Sequence, residues 1–219
     1  MIKIENINVY GWEPAIRGMR NPMNSWDKSD TIFDGDKWCL GDNDLKLMQQ
    51  LSAAGDEDAK FLRMINVTVD VTAPLYWWKE YDTYKVGTVA NSCSTMHRIH
   101  AKEFTLDDFS SEHLIDTSLL ESVINELNIY RSIYINYDKQ TDKYMAEFPK
   151  KDIWWQMIQL LPSSYNQKRT VQLNYQVLKN MYWARRNHKL DCWVDFCTQI
   201  KAFPYFKEIC IEPVSYKNC

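Results

Sequence analysis

Residues 64–97 read MINVTVDVTAPLYWWKEYDTYKVGTVANSCSTMH. In the first eight, Ile65, Val67, Val69 and Val71 alternate with Asn66, Thr68 and Asp70. Alternation among β-branched residues predicts a strand, one face buried and the other wet or lining something polar. Pro74 opens the next element, because its missing N–H is not needed in a first helical turn. Residues 75–84 carry apolar side chains near helical spacing. Residues 86–94 are small and polar, a loop closing on Ser92, Cys93 and Ser94, and 97–104 fit a short strand or an extended run.

Upstream, 3–10 alternate and predict a first strand. Residues 11–14 turn the chain, Pro14 suits a first turn, and 15–20 begin a helix. Residues 21–36 are polar and turn-rich, a loop. Its Arg17–Asn24 approach is dense in hydrogen-bonding groups, so Arg17, Arg20, Asn21 and Asn24 are either solvated or face a ligand. Asn43 is a candidate N-cap for a helix over 44–54, with Leu45, Met48 and Leu51 on one face and Gly55 as C-cap.

Downstream, 114–128 are helical. Residues 129–137 could pass for a strand, but following a helical pattern they favour continued helix. Residues 139–148 are polar. Asp152 is a plausible N-cap for a helix over 153–161, closed by Pro162. A loop over 163–169 leads to a helix over 170–186, with Val171, Val177 or Leu178, Met181 and Ala184 toward the core. Residues 190–203 form another amphipathic helix, and 208–214 (EICIEPV) look strand-like.

The formal net charge of −3 comes without a Lys/Arg block, so the electrostatic footprint of polymeric nucleic acid is missing. No stretch approaches the ~20 apolar residues of a membrane span. The first residues lack a secretory pattern, so a cytoplasmic protein with reduced thiols is expected. Six cysteines show no metal-finger spacing, and His97 and His100 have no cysteine or carboxylate at zinc-site spacing, so no metal is expected. Gly-rich phosphate loops and the GxSxG and HExxH motifs are absent. Asp56, Glu57, Asp58, Asp107 and Asp108 read as solvated loop carboxylates. Nine Trp and thirteen Tyr favour core packing, with stacking surfaces as the other use.

Several runs, in order along residues 13–205, resemble the flavin-dependent thymidylate synthases. AIRGMR resembles the family's first helix, V-R-A-A-R. NDLKLMQQLSAAG resembles its short helix ending in glycine, and INVTVDVTAP the strand entering its signature segment. IQLLPSSYNQKRTVQLN resembles the run through L-P to a later Asn, and NYQVLKNMYWAR the helix N-x-R-x-L-x-N-F-x-x-x-R. The resemblance implies an α+β fold, an antiparallel sheet flanked by helices, over one domain of residues 1–219. It implies a homotetramer that methylates dUMP at C5, a methyltransferase-type reaction. FAD would be the cofactor, with NADPH and methylenetetrahydrofolate as co-substrates.

Carried over position by position, Asn174, Asn180, Tyr84 and Lys85 fall on the cofactor side. Arg185, Lys79, Glu80, Cys93 and Ser94 fall on the side of the pyrimidine nucleotide. Read as one helix, Asn174, Asn180 and Arg185 share no stripe at about 100° per residue, so the site wraps a helix end or is shared between subunits. The signature segment departs from the family. Its R-H-R triplet becomes Thr83-Tyr84-Lys85, and the serine that follows becomes Cys93. Thr95 stands for an arginine, and Met64 for a histidine. Thr83 loses a guanidinium fork and Lys85 keeps only a point charge. Three readings stay open. The first is a divergent enzyme binding FAD and a pyrimidine nucleotide. The second is a binding or structural protein on the same fold with catalysis lost. The third is an enzyme whose new pocket uses the 20–24 loop and the aromatics around Trp77. Cys93 is either a nucleophile or a small buried thiol.

Overall fold

The computed structural model describes residues 2–35, 37–139 and 147–213. Its elements in chain order are β1 Lys3–Tyr10, α1 Trp12–Arg20, β2 Ile32–Asp34, β3 Lys37–Cys39, α2 Asp42–Ala54, β4 Asn66–Pro74 and α3 Leu75–Tyr81. They continue with β5 Val89–Ser92, α4 Ser118–Ile135, α5 Lys150–Leu160, β6 Asn166–Asn174, α6 Tyr175–Arg185 and α7 Asp191–Gln199. This is an α+β fold with an antiparallel main sheet of order β1-β4-β6-β5. The chain forms two compact units, and β4 and β6 run through both. One unit holds 72–82 and 92–169; the other holds 2–71, 83–91 and 170 onward.

In the second unit, the alternation read in 64–71 is realised. Ile65, Val67, Val69 and Val71 are buried, each contributing roughly 1.5–3 kcal/mol over an exposed position. On the polar face, Asp70 accepts from Asn6 Nδ2 (2.9 Å) and Thr170 Oγ1 (2.6 Å). Helix α1 starts at Trp12, earlier than the turn over 11–14 allowed. Gly11 precedes it at φ 91, and a Cβ there would lie 2.1 Å from the Met64 carbonyl oxygen.

The loop expected over 21–36 contains a hairpin, with Ile32 opposite Cys39 and Phe33 opposite Trp38. Both β2 and β3 are only three residues long and largely exposed, so no alternating burial marks them in sequence. Nor is Asn43 an N-cap: α2 begins at Asp42, and the Asn43 and Asp44 N–H groups donate to the Asp30 carboxylate (2.9 and 3.1 Å). A residue twelve positions before the helix does the capping. Met48 is buried on α2, while Leu45 and Leu51 are half-buried; Gly55 is the C-cap.

The largest correction concerns 163–186. Residues 166–174 are a strand, not a loop leading into a helix, and α6 spans only 175–185. Gln167, Val171 and Leu173 are buried at odd positions. That period of two was hidden by the helical period that follows it. Leu178 and Met181 are buried, but Ala184 is exposed. The tail is also not strand: Lys207–Ile211 is a π-helical turn. Ile209 and Cys210, adjacent in sequence, are both buried there, which a strand with one buried face does not permit.

In the first unit, α4 buries Leu120, Ile124 and Leu127 and packs against α5. Helical spacing therefore does hold through 129–135. Ile99, Phe104, Phe109 and Met157 join this cluster. The chain at 97–104 makes turns rather than a strand, anchored by Asn128, which pairs through its amide with both the N–H and the C=O of Phe104. Helix α5 begins at Lys150, so Asp152 lies in its first turn instead of capping it. Helix α3 stops at Tyr81, and β5 arises inside the loop expected over 86–94. All four β5 side chains are exposed at the sheet edge, so only pairing with β6 defines it. Most of 139–148 lies outside the described residues. Among the described residues no helix is long and apolar enough to cross a membrane.

Candidate functional site

The second unit contains a polar cavity of about 330 Å³. Asn66 reaches it from the polar face of β4, and Gln172 and Asn174 from the end of β6. Gly87, Thr88 and Val89 line it from the segment after α3. No charged side chain is among its lining residues.

Asn174 has two jobs that its amide separates. Its Oδ1 accepts from the Val177 N–H at 3.0 Å, capping α6. Its Nδ2 has no hydrogen-bond partner among the described residues. Asn66 Nδ2 donates to the Met64 carbonyl at 3.0 Å. Gly87 sits at φ 77, where a Cβ would lie 3.2 Å from Val177 Cγ2 and 3.4 Å from Asn174 Nδ2. Only glycine lets the loop come this close to the α6 N-terminus. Thr88 Oγ1 donates to the Tyr84 carbonyl and ties the loop's two sides.

At the other end of α6, Arg185 Nε donates to Tyr84 Oη at 3.0 Å. The guanidinium carbon lies 5.7 Å from the Tyr84 ring centre and 5.0 Å from that of Trp193. Arg185 Nη1 is 3.0 Å from His188 Nε2, and the Leu190 N–H is 3.1 Å from His188 Nδ1. Only one nitrogen of a neutral imidazole accepts at a time, so these two contacts compete and Tyr84 is the steadier partner.

Among the residues proposed from sequence, Tyr84 and Arg185 are thus brought together, and Asn174 lines the cavity. Lys85 is exposed in the same loop. Asn180 is engaged elsewhere, accepting from Gln176 Nε2 (3.1 Å), which also donates to Asp56 Oδ1 (3.0 Å). Reading Asn174 as a helical residue was wrong: it precedes α6 in an extended conformation, so the stripe argument does not apply to it.

Lys79, Glu80, Cys93 and Ser94 belong to the first unit. Lys79 and Glu80 lie on α3, Lys79 exposed and Glu80 half-buried. Cys93 is exposed, not a small buried thiol; its N–H donates to Lys168 O and its carbonyl accepts from Gln167 Nε2. The exposure follows from its place just past an edge strand. Ser94 Oγ accepts from the His97 and Met96 N–H groups (2.9 and 3.2 Å), a local turn. Trp77, Trp78 and Tyr81 are buried in mutual ring contact, and the Arg169 guanidinium lies 4.2 Å over Trp78. These aromatics are part of the core.

Arg20 is also buried, with Nε donating to Asp44 Oδ1 at 2.7 Å and Nη1 to the Ser25 carbonyl. Its first role is to hold the 21–36 loop. Sequence reasoning missed Asn66, Gly87, Thr88 and Gln172. The polar half of the β4 alternation was the available signal for Asn66; nothing local marked the others.

No family model matches the sequence, and no curated protein matches it. Solved structures do. The chain is similar to thymidylate synthase X from Helicobacter pylori with FAD and dUMP, at a TM-score of 0.69 and 12% identity, over 97% of this chain and 98% of that one. A flavin-dependent thymidylate synthase from the same organism, complexed with FAD and dUMP, aligns at a TM-score of 0.67 and 12% identity, covering 96% and 100%. The shared property is the fold.

Proposed function

We propose that this protein binds FAD and a pyrimidine nucleotide, dUMP or a close analogue, as a divergent flavin-dependent thymidylate synthase that methylates the base at C5. The observation that carries the reading is the end-to-end correspondence with structures holding those two ligands. The cavity supports it. The Asn66, Gln172 and Asn174 side chains are carboxamides, each with donor and acceptor, which match the alternating C=O and N–H of an imide edge in uracil or flavin. The close approach at Gly87 leaves backbone exposed beside that edge, and the α6 N-terminus adds partial positive charge near Asn174. These residues fit a planar ring.

FAD, when bound, supplies the hydride chemistry. The chain's own contribution is to hold the ring edge through Asn66, Gln172 and Asn174, and to present Arg185 in a fixed pose through Tyr84. Lys85, exposed in the loop that carries Tyr84, would serve a phosphate end of the ligands as a point charge. NADPH would reduce the flavin and methylenetetrahydrofolate would donate the carbon. Assembly as a homotetramer is part of the proposal.

The test is the visible spectrum of purified protein, followed by titration with FAD and then NADPH oxidation with and without dUMP. Flavin binding with dUMP-dependent oxidation is expected. No flavin binding at about 10–100 μM, an affinity of roughly 5.5–7 kcal/mol, would overturn the reading. Flavin bound without turnover would leave a binding protein on this fold.

A further inference from the structure

The second unit holds another concavity, outside the cavity at Asn174. It measures about 420 Å³ and is lined by Arg20, Lys28 and Lys46, with Ser25, Asn43 and Gln50 between them. Three cationic side chains line it and no carboxylate does.

We propose that this concavity is a binding site for a small phosphate-bearing anion. The central observation is Arg20. Its side chain is only 4% exposed, yet among the described residues it donates two of its five N–H bonds, to Asp44 and to the Ser25 carbonyl. The remaining guanidinium N–H groups are open to solvent, Arg20 lines the concavity, and an anionic acceptor can take such donors. Asp44 does not compete for the same ligand. Its Oδ2 is filled by Ser29 Oγ, Thr31 Oγ1 and the N–H groups of Asp30 and Thr31.

The site does not rest on the end of α2, where Asp30 already accepts the N–H groups of Asn43 and Asp44. Lys28 and Lys46 reach the concavity from different elements, a one-turn 3-10 helix and α2. They can therefore approach one anion from two sides as point charges. Ser25, Asn43 and Gln50 supply neutral hydrogen bonds to its remaining oxygens. The Arg20–Asp44 pair fixes the geometry before any ligand arrives.

The experiment is calorimetric titration of the whole protein with inorganic pyrophosphate at low ionic strength. It is repeated on Lys28→Gln/Lys46→Gln and on Asn174→Ala. Saturable binding is expected in the parent and in Asn174→Ala, weakened at least tenfold in the double variant and falling as salt rises. Absence of saturable binding, or equal affinity in the double variant, would overturn the proposal. Loss in Asn174→Ala instead would assign the anion to the flavin and nucleotide cavity and equally refute a separate site. Flavin titration of the double variant is expected to match the parent, so the two assignments fail independently.

Discussion

Arg185 and Tyr84, 101 residues apart in sequence, are joined by a 3.0 Å hydrogen bond from guanidinium to phenol. In the resemblance read from the sequence, Tyr84 falls in the altered triplet and Arg185 on the side of the pyrimidine nucleotide. Tyr84→Phe keeps the ring under the guanidinium and removes only the acceptor. A stability loss of about 1–2 kcal/mol is expected, with weaker dUMP binding as Arg185 loses its fixed pose. Urea unfolding and equilibrium titration measure the two effects; unchanged dUMP affinity would mean that Arg185 does not reach the nucleotide.

Asn174 carries separable duties. Asn174→Asp keeps the cap on α6 and should fold with near-parent stability. It loses the amide donor and places a carboxylate at the cavity, so flavin affinity should fall tenfold or more. Asn174→Ala should in addition lose about 1 kcal/mol of stability. Thermal melts beside flavin titrations distinguish the variants; equal flavin affinity in all three would remove Asn174 from the site.

Gly87→Ala places a methyl at φ 77 against Val177 and Asn174. The backbone strain and the crowding together should destabilise the protein by about 1–3 kcal/mol. Because the displaced loop also lines the cavity, ligand affinity should fall with stability. A melt indistinguishable from the parent would contradict the loop position.

Asp44 has a pH signature. Burial pushes its carboxyl up, but hydrogen bonds from Thr31, Ser29 and Arg20 and the Arg20 charge outweigh this and hold it below its ordinary value. With the folded value depressed, the added stability is present above the unfolded value and is lost as pH falls through the folded one. Urea midpoints should therefore drop from about pH 5 downward, with a shallower slope in Asp44→Asn. At pH 7, Asp44→Asn should itself be destabilised by about 3–5 kcal/mol, because Arg20 stays buried without its counter-ion. Parallel pH profiles for both proteins would show that another group controls acid unfolding.

The thiols should divide by burial. Burial raises Cys197 to about 11 and Cys210 to about 12, and Cys192 is buried beside them in class. Cys39 and Cys93 are exposed. Alkylation of native protein at pH 8, mapped by mass spectrometry, should label Cys39 and Cys93 within minutes and spare Cys192, Cys197 and Cys210. Rapid labelling of Cys197 would mean that α7 opens readily.

Much of the fold was legible where burial repeats locally. The four aliphatics of 65–71 announced β4, and the helical pattern over 114–128, continued into a run that could pass for strand, announced α4. The errors have two causes. Strands β2, β3 and β5 are short and exposed, so backbone pairing defines them with little side-chain signal. In β6 a two-residue period runs straight into a helical one, and Asn174 is the hinge between them. Of the residues that line the candidate cavity, Asn174 was named through the resemblance, while Gly87, Thr88 and Gln172 had no local mark.

By itself the sequence determined which faces are apolar, where the longer elements run, and the order of segments that resembles one family of folds. Those properties follow from side-chain spacing along a few turns or a few pleats. Only the tertiary structure decided that Arg20 holds a loop, that Asp30 caps a helix from outside it, and that Tyr84 engages Arg185. Each of these joins residues ten or more positions apart through directional hydrogen bonds. Charge and amide chemistry state what such groups can bind; only the folded backbone brings a particular donor within 3 Å of a particular acceptor.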